Sequence, residues 1–161
     1  MSRNRKPRKA HRPREVMNPL AFIRPASAAD RHRITDRFAS ALEAMVRCSS
    51  PTAEEWRDLS DAINTVETML LEGVLADEEV RPLVVASIRA MAEAGTRHRA
   101  GHALRLSGDG VQAVREVIQV YAAAMEVLTE ARMYQLQRLT ERRVQAALAG
   151  RALEGVEVVT C

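Results

Sequence analysis

Apolar residues recur along most of the chain at intervals of three and four, the repeat of a helix buried on one face. The first such run predicts a helix over residues 28–47. Ile34, Phe38, Leu42, Met45 and Val46 form its apolar stripe, Arg31, Arg33, Asp36, Arg37 and Glu43 fill the other faces, and Ser27 is its N-cap. Cys48, Ser49, Ser50 and Pro51 end it. A second helix is predicted over 52–72, with Trp56, Leu59, Ile63, Val66, Met69 and Leu70 inward. Thr52 and Glu55 have capping-box spacing, Glu54 and Glu55 suit the positive end of the helix dipole, and Gly73 stands where a helix stops.

A third helical stretch starts near Asp77, with Val80, Val84, Ile88 and Met91 repeating. Pro82 is tolerable there only in the first turn. Gly95 either ends this helix or weakens it, and residues 96–106 continue it or form a short helix of their own. Gly108, Asp109 and Gly110 read as a turn, with Asp109 as N-cap of the next helix. Residues 111–148 contain no Pro and no Gly. Val111, Val114, Ile118, Tyr121, Met125 and Leu128 make an a/d seam that meets Arg132 and Gln135 and resumes at Leu136 and Leu139. One helix over that span would be roughly 57 Å long at 1.5 Å per residue. It must break or overhang, and an overhang would call for a partner. No segment alternates as a strand does, although Val156, Val158 and Val159 leave a short strand open at the end.

The expected fold is all-α: a four- or five-helix bundle with a long C-terminal helix and an extended basic N-terminal arm. Residues 1–26 form the arm, 27–150 the bundle and 151–161 a tail. Four prolines (Pro7, Pro13, Pro19 and Pro25) keep the arm out of helix. Its first part, 1–14, is wholly polar and expected to be disordered. Its second part, 15–26, holds Val16, Met17, Leu20, Phe22 and Ile23 and is expected to lie as a strap against the body.

Charge changes this picture more than composition does. The net charge is +3, yet Arg3, Arg5, Lys6, Arg8, Lys9, Arg12 and Arg14 place seven bases and no acid in the first fourteen residues. The other 147 residues carry 17 bases against 21 acids. A basic arm on an acidic body is a pattern for contact with nucleic acid or another anionic surface. Five aromatic residues in 161 are too few for a base-stacking platform, so the seven arm bases are expected to meet phosphates and not to read sequence. There is no secretory h-region and no apolar run of membrane-spanning length, and only two cysteines are present. A reducing cytoplasm is therefore the expected location, with no membrane contact.

The candidate chemistry is thin. His98 and His102 have the spacing of a zinc-binding pair on one helix face. Arg97, Arg99 and Arg105 would repel a dication, so a solvated or phosphate-contacting basic face is the better reading. Cys48 lies at a helix C-terminus, which does not activate a thiol, and is expected as a packed small residue. Arg132, Arg138, Arg142, Arg143 and Arg151 either complement the last helix's dipole or form a second anion-contacting surface. No metal, cofactor or catalytic residue is expected, and an enzyme is not.

The layout resembles small all-helical proteins encoded by tailed phages and prophages of proteobacteria. The residues carrying it are the arm leading into Arg12-Pro13-Arg14-Glu15-Val16-Met17-Asn18-Pro19, the stretch Asp58 to Leu70, and the last long helical segment with Tyr121 through Arg143. The likeness spans about residues 5–145 and rests on layout, with no catalytic motif. It implies an accessory role in a bacterial host and carries across no functional residues. Three functions fit: a nucleic-acid-associated accessory protein, an inhibitor or adaptor that binds a host or phage protein, and a structural subunit of a phage assembly, with homo-oligomers formed through the long helix.

Overall fold

The computed structural model describes residues 24–48 and 51–151. These form five helices: α1 (Ala28–Arg47), α2 (Ala53–Leu71), α3 (Asp77–Arg99), α4 (Gly108–Val127) and α5 (Glu130–Leu148). The seven arm bases, most of the strap, Cys161 and the valines near the C-terminus lie outside the described residues.

Local chemistry fixes the first two helices at the predicted places. Ser27 caps α1 by accepting from the backbone N–H of Asp30 at 3.1 Å. Thr52 and Glu55 form the full capping box of α2: the Thr52 hydroxyl accepts from the Glu54 N–H, and the Glu55 carboxylate accepts from the Thr52 N–H at 2.7 Å and from its hydroxyl. Gly73 takes φ +65° past the end of α2. Its N–H donates to Leu70 O, and the Val74 N–H to Met69 O, which satisfies two of the orphan carbonyls.

Helix α2 is the central element. It packs on α1, α3, α4 and α5, and Leu59, Ala62, Ile63, Val66 and Met69 are fully buried along it. Phe38 and Met45 of α1, Val84 and Met91 of α3, and Val114, Val117 and Tyr121 of α4 close around it. The Phe38 and Tyr121 rings meet edge to face with centroids 5.1 Å apart. Helices α1 and α4 run antiparallel, as do α2 and α5. Pro25 pairs with Thr129 and Phe38 with Tyr121 across α1 and α4, while Glu72 meets Arg132 and Thr68 meets Thr140 across α2 and α5.

Three details differ from the sequence expectation. The long C-terminal helix is two helices, broken at Leu128 and Thr129. Leu128 is extended (φ −82°, ψ 143°), Thr129 caps α5 through the Arg132 N–H, and the Glu130 N–H donates to Arg24 O at 2.8 Å. No Gly or Pro is needed, because a side chain and a neighbouring extended segment take over the freed N–H groups. Each half is about 30 Å long at 1.5 Å per residue, so neither overhangs, and the argument for a partner from helix length falls away.

Gly108, Asp109 and Gly110 are not a turn but the first turn of α4, and the cap is Ser107, which accepts from the Gly110 N–H. The glycine at 110 serves packing: a Cβ there would stand 2.7 Å from the Cβ of Ala90. Gly95 likewise lies inside α3, where a Cβ would sit 3.2 Å from the Trp56 indole. The turn after α3 is made at Gly101, with φ +90°. Pro82 lies in the second turn of α3, not the first, where it forfeits a bond to the Glu78 carbonyl; the N-cap Ala76 makes no side-chain hydrogen bond.

Candidate functional site

Two surfaces carry the polar chemistry: a basic corner where α3 turns into α4, and a groove between α1 and α5.

At the corner, Arg97, His98 and Arg99 occupy the last turn of α3, where cations suit the negative end of the helix dipole. The helix stops at Arg99, so His98 and His102 do not share a helical face. Instead the His98 ring Nδ1 donates to the backbone carbonyl of His102 at 3.1 Å. Among the described residues no group of three His, Cys, Asp or Glu could hold a metal ion. Arg105 reaches back across the loop and donates from Nε and Nη2 to the carbonyl of Cys48, at 3.2 and 2.9 Å. Cys48 is exposed, against the packed position expected of it, because it ends α1 at the rim of this corner. Arg97 donates to the Arg105 carbonyl at 2.8 Å and stands 4.0 Å from Glu93. Among the described residues Arg99 donates only to Thr96 Oγ1. Arg99 and Arg105 thus have no carboxylate partner among the described residues, and His98, Arg99, His102 and Arg105 are all exposed.

The α5 arginines are disposed differently. The last turn of α5 holds no base, so dipole complementation does not explain them. Arg132 stands 3.7 Å from Glu72, Arg138 pairs with Glu141 at 2.6 Å, and Arg142 donates to the Arg138 carbonyl. Arg143 turns inward to Glu67 at 3.1 Å and to the Thr68 hydroxyl at 2.9 Å. Most of their charge is neutralised within the protein, which weakens the reading of α5 as an anion-contacting face.

The groove has a hollow of about 360 Å³ at its centre, walled by Ile34, Arg37 and Phe38 of α1 and by Gln137, Glu141 and Val144 of α5. Tyr121 forms part of its floor. Burial pushes the Tyr121 phenol upward, while Gln137, donating to its oxygen at 3.4 Å, holds it down in part. At the rim Arg37 pairs with Asp58 at 3.0 Å and stands 3.9 Å from Asp61. Desolvation raises the Asp61 carboxyl above its ordinary range; Arg37 opposes this, and Asp58 and Glu141 add to it.

This shift fixes the sign of a pH effect. With the folded pKa above the unfolded one, the stability that Asp61 contributes is present below the ordinary carboxylate range and is lost as pH rises through the folded value. Glu55 is opposite: the hydrogen bond from Thr52, then its own backbone N–H, hold it low, so its capping contribution is present at neutral pH and lost on acidification. Asp61→Asn is therefore expected to stabilise the protein at neutral pH and to lose that advantage in acid. The gain is no more than about 0.5 kcal/mol, because an exposed charge is screened, and this side chain is 67% exposed. Urea melts of both proteins above and below about pH 4 check it; an advantage that grows in acid contradicts it.

No family model, curated protein or solved structure matches this chain. No described helix is long and apolar enough to cross a membrane. The seven arm bases, the site residues expected from sequence, lie outside the described residues; the corner is the basic surface that the fold itself assembles.

Proposed function

We propose that this is a non-enzymatic accessory protein, of the phage or prophage type its layout resembles, that binds nucleic acid in a bacterial cytoplasm. It does so mainly through phosphate contacts. The single observation that supports this best is the corner: exposed Arg99 and Arg105 without a carboxylate partner among the described residues, flanked by His98 and His102, on a body otherwise richer in acid than base. The arm bases Arg3, Arg5, Lys6, Arg8, Lys9, Arg12 and Arg14 supply the larger share of positive charge. Binding of this kind has little sequence preference, since among the described residues no exposed Phe, Tyr or Trp stands at the corner to stack on a base.

Fluorescence anisotropy with a labelled duplex and a labelled single strand tests the reading. If all seven arm bases meet phosphates, the slope of log K against log salt approaches about −6 on duplex DNA, at roughly −0.9 per contact. A chain lacking residues 1–14 loses most of that slope. Arg99→Ser with His102→Ser in the full chain weakens binding and lowers the slope by about 1, for the one lost full charge. A full chain that does not bind, or binds equally well without its arm, overturns the proposal.

A second reading, an inhibitor or adaptor that binds a host or phage protein, draws support from exposed apolar side chains along the α4–α5 edge. Val127 is 77%, Tyr134 43% and Leu148 57% exposed. Under it, partner capture persists at salt concentrations that abolish DNA binding.

A further inference from the structure

The groove between α1 and α5 continues beyond its central hollow. A second hollow of about 300 Å³ adjoins it, sharing Ile34 and Gln137 and lined further by Ala26, Met125, Met133 and Tyr134 and by the charged Asp30, Arg33 and Glu130. The two make one channel along α5, from Met133 near its start to Val144 and Gln145 near its end. Its upper part sets the apolar Ala26, Ile34, Met125 and Met133 beside Asp30, Arg33 and Glu130, and its lower part carries Asp61 and Glu141.

The chain enters the described fold at the head of this channel. Arg24 O accepts from the Glu130 N–H at 2.8 Å, Pro25 pairs antiparallel with Thr129, and Ala26 packs against the core. That antiparallel sense points the preceding residues back along α5. Those residues are the strap, with Val16, Met17, Leu20, Phe22 and Ile23 between positions 15 and 24. Five apolar side chains in eight residues need cover, and a channel with apolar side chains in its lining begins where they stop.

We propose that residues 15–23 of this same chain occupy the α1–α5 groove, running antiparallel to α5. The lengths agree. An extended chain advances about 3.3 Å per residue and a helix about 1.5 Å, so each strap residue passes about two residues of α5. Counting back from Arg24 at Glu130, Phe22 and Ile23 fall beside Met133 and Tyr134. Leu20 falls near Arg138 and Leu139, and Met17 near Val144 and Gln145. This course also brings the arm out at the end of the bundle that carries Arg99 and Arg105, whereas Arg24 lies at the opposite end. The proposal goes beyond nucleic-acid binding and does not depend on it.

Disulfide trapping in the full chain tests it without nucleic acid. In a background of Cys48→Ser and Cys161→Ser, the pair Met17→Cys and Val144→Cys is oxidised. It is compared with Met17→Cys and Val85→Cys, since Val85 is an exposed position on α3. The expected result is rapid closure within one chain for the first pair and at least a several-fold slower reaction for the second. Closure only between two chains assigns the groove to a second copy, and equal rates or no closure leave the strap outside it; either overturns the proposal. An independent readout is nitration of Tyr134 in the full chain. Phe22→Asp with Ile23→Asp is expected to speed it several-fold if the strap covers this tyrosine, and an unchanged rate counts against the proposal.

Discussion

Replacing Arg143 by Met is expected to destabilise the fold by about 3 kcal/mol, the low end of the cost of breaking a buried ion pair. In a protein of this size that lowers the melting temperature by roughly 10 °C. Arg143 lies on α5 and its guanidinium reaches α2, where it meets the Glu67 carboxylate at 3.1 Å and the Thr68 hydroxyl at 2.9 Å. The Glu67 side chain is 9% exposed and that of Arg143 16%, so solvent cannot replace what the substitution removes. Methionine keeps most of the stem's packing and deletes the charge, so the loss reports the electrostatics. Around the pair, the Thr140 hydroxyl sits 2.8 Å from Thr68 Oγ1 and 2.9 Å from Leu136 O, and Thr68 donates to Asn64 O. The companion variant, Glu67→Gln with Arg143→Met, is expected to recover most of the loss, because it removes both charges of the pair together. Denaturant melts of wild type, both single variants and the double variant close the cycle. An Arg143→Met protein within about 0.5 kcal/mol of wild type sinks the account, since that is the ordinary scatter of a surface change.

This cluster is not legible in the sequence. There Arg143 is one of five arginines toward the end of a helix, and the period of three and four places it no differently from Arg142. What separates them is which face of α5 meets α2, and that depends on the break at Thr129. The break is hidden for the same reason. Residues 111–148 hold no Pro or Gly, and the bonds that end α4 and start α5 include one to Arg24, more than a hundred positions away. A local reading cannot weigh a contact of that range. Where the determinants are local, sequence and structure agree closely: Ser27, Thr52 with Glu55, and Gly73 fix the ends of α1 and α2 as their spacing predicts.

The polar surfaces divide in the same way. The basic run at Arg97, His98, Arg99, His102 and Arg105 stands out as charge, and its rejection as a metal pair rests on like-charge repulsion. The fold adds that Gly101 turns the chain between the two histidines, so helical spacing never applies to them. The α1–α5 groove leaves no sequence signature. Its walls come from helices with 82 residues between them, and its floor from residues such as Tyr121 whose spacing marks them only as core. Phe22 and Ile23 give the one hint, as apolar residues that need cover before any surface for them is known.

Glycines are the residues most easily misread, and Gly110 shows the consequence most sharply. Gly110→Ala is expected to destabilise the protein by about 1–3 kcal/mol, although alanine is by about 1 kcal/mol the better helix former. The new Cβ would stand 2.7 Å from the Cβ of Ala90 and 3.1 Å from Ser107 Oγ. Contacts that short force either α3 and α4 apart or the Ser107 cap out of place. Neither group can swing aside: the Cβ of Ala90 is fixed to its backbone, and Ser107 Oγ accepts the Gly110 N–H. The Ala90→Gly substitution should rescue it. It removes the nearest obstacle, and although it gives up helix propensity in α3, the double variant is expected to be more stable than Gly110→Ala alone. Gly108→Ala is the control, since a Cβ there meets nothing within 4 Å, and it should be neutral or stabilising. Thermal melts of the four proteins decide between the two readings of this segment. A turn glycine would make Gly108 and Gly110 about equally costly to replace; a helix-contact glycine makes only Gly110 so, and makes its cost depend on Ala90.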